Sequence, residues 1–189
     1  VLALALDHLV RNRGMKGRVC RSVVTSHFVD AVARSHGLEI RETPVGFKFI
    51  GELMRTGNYI IGGEESGGFS ILGHVLEKDG ILACMLIIEM LAYDKKPLKK
   101  IRQDLHKRLG EFFSVKTSMP ITDDIERLIE RLTLKPPLSL AGFSVWRIDQ
   151  TDGFKFILRD GSWLGLRPSG TEPMVRIYAE ATSQKKLDQ

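Results

Sequence analysis

The sequence predicts two domains of different class. The first, residues 1–112, is an α/β three-layer domain with a mainly parallel sheet; the second, residues 113–189, is a smaller α+β domain with an antiparallel sheet. Three observations predict this. Strand-like and helix-like periods alternate as far as residue 61, the signature of a parallel layer. The pattern changes near Gly110. Beyond it come short strand-like runs punctuated by Asp-Gly pairs, which signal hairpins.

Taken in order, Leu2, Leu6, Leu9 and Val10 recur at helical spacing, so residues 1–13 read as an amphipathic helix ended by Gly14 and Gly17. The β-branched run Val19–Thr25 reads as a buried strand. Ser26 is an N-cap for a helix through Ser35, closed by His36-Gly37. Leu38–Thr43 reads as a strand, Pro44 breaks it, and Val45–Thr56 carries Phe47, Ile50, Leu53 and Met54 on one helical face. Tyr59–Ile61 is a short strand. Gly62–Gly80 is rich in glycine and charge and reads as a functional loop. Ile81–Tyr93, apolar nearly all round, reads as a buried helix. Pro97 suits a first helical position, before an apolar stripe of Leu98, Ile101, Leu105 and Leu109.

Residues 111–118 read as a strand or linker, and Thr122-Asp123-Asp124 cap a helix to Leu132. Phe143–Asp149, Phe154–Arg159, Trp163–Arg167 and Met174–Ala181 are short strands, with Asp152-Gly153 and Asp160-Gly161 as hairpin signals.

Composition narrows the function classes. The chain has 189 residues, 43% hydrophobic and 27% charged, which is ordinary for a globular protein. The net charge of +5 favours anionic ligands, but the basic residues are spread out and aromatics are few, so no nucleic-acid partner is expected. Cys20 and Cys84 lie far apart without a Cys/His cluster and read as buried free thiols, with neither disulfide nor zinc site. The longest apolar run, Ile81–Ala92, contains Glu89 and is too short for a bilayer. With no signal peptide visible, a cytoplasmic location and no membrane partner are expected. The chain opens inside a helical pattern without an initiator Met and stops where a polar helix begins, so a portion of a longer protein is expected.

Two stretches carry candidate chemistry. In Arg167-Pro168-Ser169-Gly170-Thr171-Glu172-Pro173, the guanidinium matches two oxyanion oxygens, and Ser169 and Thr171 add hydroxyl donors. Gly170 can take φ > 0 and let backbone N–H groups converge. The alternative is a tight turn with a solvated arginine. In Gly62-Gly63-Glu64-Glu65-Ser66-Gly67-Gly68, carboxylates and a hydroxyl between glycines suit a polyhydroxylated ligand, against a surface turn with solvated acids. Ser66 does not fit a nucleophile elbow, which needs Gly-x-Ser-x-Gly, and no His/Asp partner pattern supports a hydrolase. His74 reads as a proton shuttle or a structural histidine, and Lys78 as an acid–base group or a positive charge for a phosphate. Lys48 reads as functional or merely solvated.

Thr43-Pro44-Val45-Gly46-Phe47-Lys48, Gly63-Glu64-Glu65-Ser66-Gly67-Gly68, Glu77-Lys78-Asp79-Gly80 and Arg167–Pro173, in this order and over essentially the whole chain, resemble the α-D-phosphohexomutase family (phosphoglucomutase and phosphomannomutase). The resemblance implies the third domain, for sugar recognition, and most of the fourth, carrying a phosphate loop. It implies that Glu64 and Ser66 bind sugar hydroxyls, and that Arg167, Ser169, Gly170 and Thr171 hold the phosphate that is not transferred. Lys48, His74 and Lys78 are the implied catalytic candidates near the reacting end. Arg176 is either a second phosphate cation or an exposed cross-strand charge.

The implied reaction interconverts hexose 1-phosphate and hexose 6-phosphate through a phosphoserine and a hexose 1,6-bisphosphate, with Mg2+. Neither the phosphoserine loop nor the magnesium loop is found here. Thr25-Ser26-His27-Phe28 only echoes the first, and Asp149-Gln150-Thr151-Asp152-Gly153 and Asp123-Asp124 lack the spacing of the second. No metal site is therefore expected in this chain, and the chain alone is expected to be inactive. Its partners would be a phosphosugar and the missing N-terminal domains. Glu65 and Gly68 favour glucose, with mannose next. The alternatives are a phosphoglucosamine mutase fragment and a non-catalytic basic binding module.

Overall fold

The computed structural model describes residues 1–189, which divide into two compact units, Val1–Glu111 and Phe112–Gln189. In the first, β1 (Arg18–Ser22) lies between β2 (Ile40–Thr43) and β3 (Tyr59–Gly63), all parallel, and β4 (Phe69–Ile71) adds an antiparallel edge. The helices α1 (Leu2–Arg11), α2 (Phe28–Ser35), α4 (Gly80–Asp94) and α5 (Leu98–Leu109) share one core with the sheet, in which Leu6, Leu9, Val32, Leu86 and Leu105 pack with Val19, Ile60 and Phe69. A separate cluster seats α3 (Phe47–Thr56): Phe47, Ile50 and Met54 pack on Cys20 and Tyr59. Helices on both faces of a mainly parallel sheet give the three layers that the alternating pattern predicts.

Two ion-pair hubs tie these elements. Arg21 on β1, fully buried, donates from Nη2 to Asp30 of α2 at 2.6 Å and to Glu42 of β2 at 3.2 Å. Burial pushes the Asp30 carboxyl up, but the Arg21 guanidinium outweighs it and holds the group below its ordinary range. Asp7 of α1 accepts from His36 Nε2 at 2.9 Å and Arg108 Nη2 at 2.5 Å, joining α1 to the end of α2 and to α5.

Five expectations change here. Gly62 and Gly63 do not open a loop: they end β3, and Phe69–Ile71 returns as β4, so only Glu64–Gly68 forms the turn. A three-residue strand carries no readable period. The glycines are there for close packing. A Cβ at 62 would lie 2.5 Å from Ile50 Cγ2 and 2.7 Å from Cys20 Sγ, and one at 63 would lie 2.8 Å from Leu2 Cδ1. Helix α4 buries only Ala83, Leu86 and Met90; Ile81, Met85, Ile88 and Tyr93 are exposed. Apolar content marks what a helix can bury, not which faces its neighbours reach. Cys20 is buried, but Cys84, on α4, is exposed. Helix α2 starts after His27, although Ser26 still works as a cap, its Oγ accepting from the Phe28 N–H at 3.0 Å. Pro97 likewise precedes α5 rather than opening it.

The second unit is a six-stranded sheet with antiparallel neighbours throughout. Its order is β5 (Phe113–Pro120), β10 (Met174–Ala181), β9 (Trp163–Pro168), β8 (Phe154–Leu158), β7 (Phe143–Asp149) and β6 (Ser139–Leu140). Residues 113–120, read as strand or linker, thus form an edge strand paired with β10. Helix α6 (Asp123–Leu134), capped by Thr122, packs Ile129 and Leu132 on Phe154 and Phe156. A short α7 (Gln184–Leu187) ends the chain. Trp163 Nε1 donates to Glu180 Oε1 at 3.0 Å across β9 and β10, giving the buried indole N–H its acceptor. No helix is long and apolar enough to cross a membrane.

Candidate functional site

In the first unit Lys48 follows β2, and Glu64 and Ser66 follow the carboxyl end of β3, where parallel sheets hold ligands, while His74 and Lys78 follow the antiparallel β4. The β3–β4 turn closes by Glu64 N–H to the Gly68 carbonyl at 2.9 Å and Gly67 N–H to the Glu64 carbonyl at 3.0 Å. Gly67 takes φ +85°, which a side chain would disfavour. Glu64 is 7% exposed, and its Oε1 accepts from the Gly46 N–H at 2.9 Å. It therefore ties the β3–β4 turn to the segment after β2. Its Oε2 lies 3.9 Å from Lys78 Nζ. The Lys78 stem runs over Gly68, where a Cβ would come within 2.9 Å of Lys78 Cδ, and its ammonium lies 5.7 Å from the Phe47 ring centre. Ser66 stands exposed at the tip of the turn.

His74 and Lys48 are placed differently. His74 Nε2 is 2.9 Å from Asp79 Oδ2, while Asp79 Oδ1 accepts from the Ile81 and Leu82 N–H groups at the start of α4. The His74 hydrogen bond, followed by the Leu82 N–H, holds the Asp79 carboxyl below its ordinary range. Lys48 is exposed on the first turn of α3, its ammonium 4.7 Å from the Phe49 ring centre. The structure thus joins Glu64, Lys78 and the Gly46–Phe47 segment directly, pairs His74 with Asp79, and leaves Lys48 and Ser66 facing solvent.

In the second unit, Arg167–Thr171 spans the end of β9 and the connection to β10. Ser169 N–H donates to the Met174 carbonyl at 2.8 Å and closes the loop, with Ser169 Oγ and Thr171 Oγ1 3.5 Å apart. Gly170 does not take positive φ, and a Cβ there would meet nothing within 4 Å. The expected φ > 0 nest at Gly170 is therefore absent: the cross-loop bond closes the turn without a left-handed residue. Arg167 and Arg176 are cross-strand partners. Arg167 Nε donates to Asp152 Oδ2 at 2.7 Å, and Arg176 Nη2 to Glu172 Oε2 at 3.1 Å. The Glu172 hydrogen bond raises the Arg176 pKa further, so this cation persists at any working pH. A groove of about 700 Å³ beside the loop is lined by Lys116, Thr117, Ser118, Glu172, Pro173, Met174 and Arg176.

Sequence reasoning missed Asp152, Asp79 and the Gly46 N–H as partners of the site. Asp152 was legible as a turn residue and as part of a stretch lacking the magnesium-loop spacing, not as a partner of Arg167. Its neighbourhood with Arg167 depends on the β8–β9 register, which pairs Phe154 with Leu166.

The donor sets do not suit Mg2+. His27, Asp30 and Glu42 place ligand atoms within 4.8 Å of one another, but Arg21 already bonds both carboxylates. Asp149 Oδ1 accepts from the Thr151 N–H at 2.8 Å, and Asp124 pairs with Arg127 at 2.7 Å. The first set has both carboxylates committed to Arg21, and the Asp149–Asp152 and Asp123–Asp124 stretches bring no group of three ligand atoms together for a hard cation with octahedral demands.

Residues 1–109 match the model of the phosphoglucomutase/phosphomannomutase alpha/beta/alpha domain III. Residues 114–189 match the model of the C-terminal domain of the same family. A phosphoglucomutase/phosphomannomutase of Thermococcus kodakarensis is 32% identical over 97% of this chain and 38% of its own. A phosphoglucomutase of Komagataeibacter xylinus is 31% identical over 95% of this chain and 36% of its own. Among solved structures, a putative phosphomannomutase of Thermus thermophilus superposes with a TM-score of 0.76 at 29% identity, covering 99% of this chain and 38% of that one. The chain thus spans less than two fifths of the length of these relatives. The chain belongs to the phosphoglucomutase/phosphomannomutase family, and its two units correspond to that family's third and C-terminal domains.

Proposed function

We propose that this chain is the sugar- and phosphate-binding portion of a phosphohexomutase that interconverts hexose 1-phosphate and hexose 6-phosphate, with glucose favoured and mannose next. The observation that carries it is the Arg167–Thr171 loop. It joins an arginine braced by a carboxylate to two hydroxyls 3.5 Å apart within five residues, on a turn closed by its own backbone. Such a loop reads an oxyanion and nothing of the sugar to which it is attached. That suits a reaction in which the sugar must bind in two orientations, either phosphate being the anchored one. Anchoring at the non-reacting end supplies orientation at the other.

Residues 1–112 would recognise the sugar and residues 113–189 the phosphate. Glu64 is held by Gly46 N–H through one oxygen, so its other oxygen, near Lys78, would accept from ring hydroxyls, joined by Ser66 Oγ. Lys78, and Lys48 on α3, would supply positive charge near the reacting end. His74, oriented by Asp79, would hold or move a proton. Arg176 would add a second cation to the phosphate loop. Mg2+ and the hexose 1,6-bisphosphate belong to this proposal for the whole protein, with the metal held by residues outside this chain. Relatives named phosphoglucosamine mutase, such as one of Methanocaldococcus jannaschii at 28% identity, make an amino sugar the competing substrate.

Calorimetric titration of the chain with glucose 6-phosphate, mannose 6-phosphate and glucosamine 6-phosphate tests both levels. Binding should be abolished or weakened about tenfold or more by Arg167→Ala, given roughly 1.5–3 kcal/mol for a hydrogen bond to a charged group. An Arg167→Ala chain that binds like wild type would sink the assignment. Tightest binding of the amino sugar would replace glucose as the substrate. Turnover of glucose 1-phosphate by this chain alone, with Mg2+ and bisphosphate, would show that the bond-breaking groups had been misplaced.

A further inference from the structure

We infer that Asp152 is a positioning residue for the phosphate clamp, setting the Arg167 guanidinium in the one orientation that presents its terminal amino groups to an oxyanion. This rests on the reading of Arg167 as a phosphate ligand.

The contact is specific about which nitrogen it uses. Arg167 Nε donates to Asp152 Oδ2 at 2.7 Å, with the two side chains only 17% and 22% exposed. A guanidinium carries five N–H donors in a rigid plane. Holding it by Nε fixes that plane and leaves the end edge formed by the two terminal amino groups outside this contact, with one donor from each for two phosphate oxygens. Arg176 stands directly opposite on β10, and like charges in that position repel. The two acids, Asp152 and Glu172, each neutralise one arginine and keep them apart.

The turn that bears Asp152 is itself pinned. Asp149 Oδ1 accepts from the Thr151 N–H at 2.8 Å, fixing the approach. Gly153 takes φ +80°, and a Cβ there would drive into the Leu166 carbonyl oxygen and lie 3.0 Å from Arg167 Cα. The glycine therefore lets the β7–β8 turn lie close against the backbone of the residue whose side chain it orients. Backbone and side chain of Arg167 are buttressed by consecutive residues of one turn, which is how a binding group on a loop is made rigid.

The sign of one measurement separates this role from plain electrostatics. Asp152→Ala removes a negative charge beside the bound anion, so charge alone would tighten phosphate binding several-fold. Loss of positioning weakens it instead, by about tenfold, on the scale of one charge-assisted hydrogen bond. Inorganic phosphate and glucose 6-phosphate are titrated into the full chain carrying Asp152→Ala, Asp152→Asn, Arg167→Ala or the Asp152→Ala/Arg167→Ala pair. Melting curves establish that each variant is folded at the titration temperature. The expected result is weaker binding by Asp152→Ala, recovery in Asp152→Asn, whose amide oxygen still accepts from Nε, and no further loss when Asp152→Ala is added to Arg167→Ala. Unchanged or tighter binding by Asp152→Ala overturns the inference, as does an undiminished tenfold loss in the Arg167→Ala background. If Arg167→Ala itself binds normally, the phosphate assignment fails and the inference with it, an outcome distinct from failure at Asp152 alone.

Discussion

Replacing Glu64 by Ala removes the acceptor that holds the Gly46 N–H at 2.9 Å, the link between the β3–β4 turn and the entry to α3. Glu64 is 7% exposed, so water does not readily take over. A donor left without a partner costs about 1–3 kcal/mol. The contact to Lys78, at 3.9 Å with that lysine half exposed, adds no more than roughly 0.5 kcal/mol. The sum is about 2 kcal/mol, which for a unit of this size corresponds to a fall in Tm of about 10 °C. Glu64→Gln keeps a carbonyl oxygen for Gly46 and should lose less than about 1 kcal/mol, while still losing the charge that would accept from sugar hydroxyls. Differential scanning calorimetry of the three proteins, with urea unfolding followed by circular dichroism, reads both numbers. An Ala variant melting within about 2 °C of wild type would refute the reasoning. So would a Gln variant as damaged as Ala, because the amide retains the acceptor on which the estimate depends.

Gly62→Ala places a methyl group 2.5 Å from Ile50 Cγ2 and 2.7 Å from Cys20 Sγ, and should lower the urea midpoint by an amount worth about 1–3 kcal/mol; an unchanged midpoint would mean that α3 shifts without cost. Glu89 is held down to about 2 from 4.5 by Arg13 first and then His8, so its contribution to stability is complete above pH 4.5 and is lost as pH falls toward 2. Unfolding midpoints followed from pH 5 to about 2 should therefore fall more steeply for wild type than for Glu89→Gln, and parallel curves would contradict the pairing. Burial pushes the Cys20 thiol up to about 12, whereas Cys84 is exposed. An alkylating reagent at pH 8 should label Cys84 quickly and Cys20 only on unfolding; equal native rates would mean that β1 opens readily.

Much of this molecule was legible in advance because local chemistry repeated what the fold required. Val19, Ile60 and Ile61 are strand formers that end fully buried, and the Asp-Gly turns at 152–153 and 160–161 do take positive φ at glycine. The illegible parts depended on neighbours. Gly62 and Gly63 read as flexibility until Ile50, Cys20 and Leu2 were seen against them. Ile81, Met85 and Ile88 read as core until the packing showed that only one side of α4 is covered.

By itself the sequence determined the two fold classes, most of the elements and which residue types are candidates to meet a phosphosugar, because periodicity and motif chemistry are written locally along the chain. The tertiary structure alone decided which of those residues are held and by what. Glu64 is tied to Gly46, His74 to Asp79, and Arg167 to Asp152. Each pair joins separate segments through strand pairing or a turn, and the direction of a guanidinium or a carboxylate is fixed only where those segments meet.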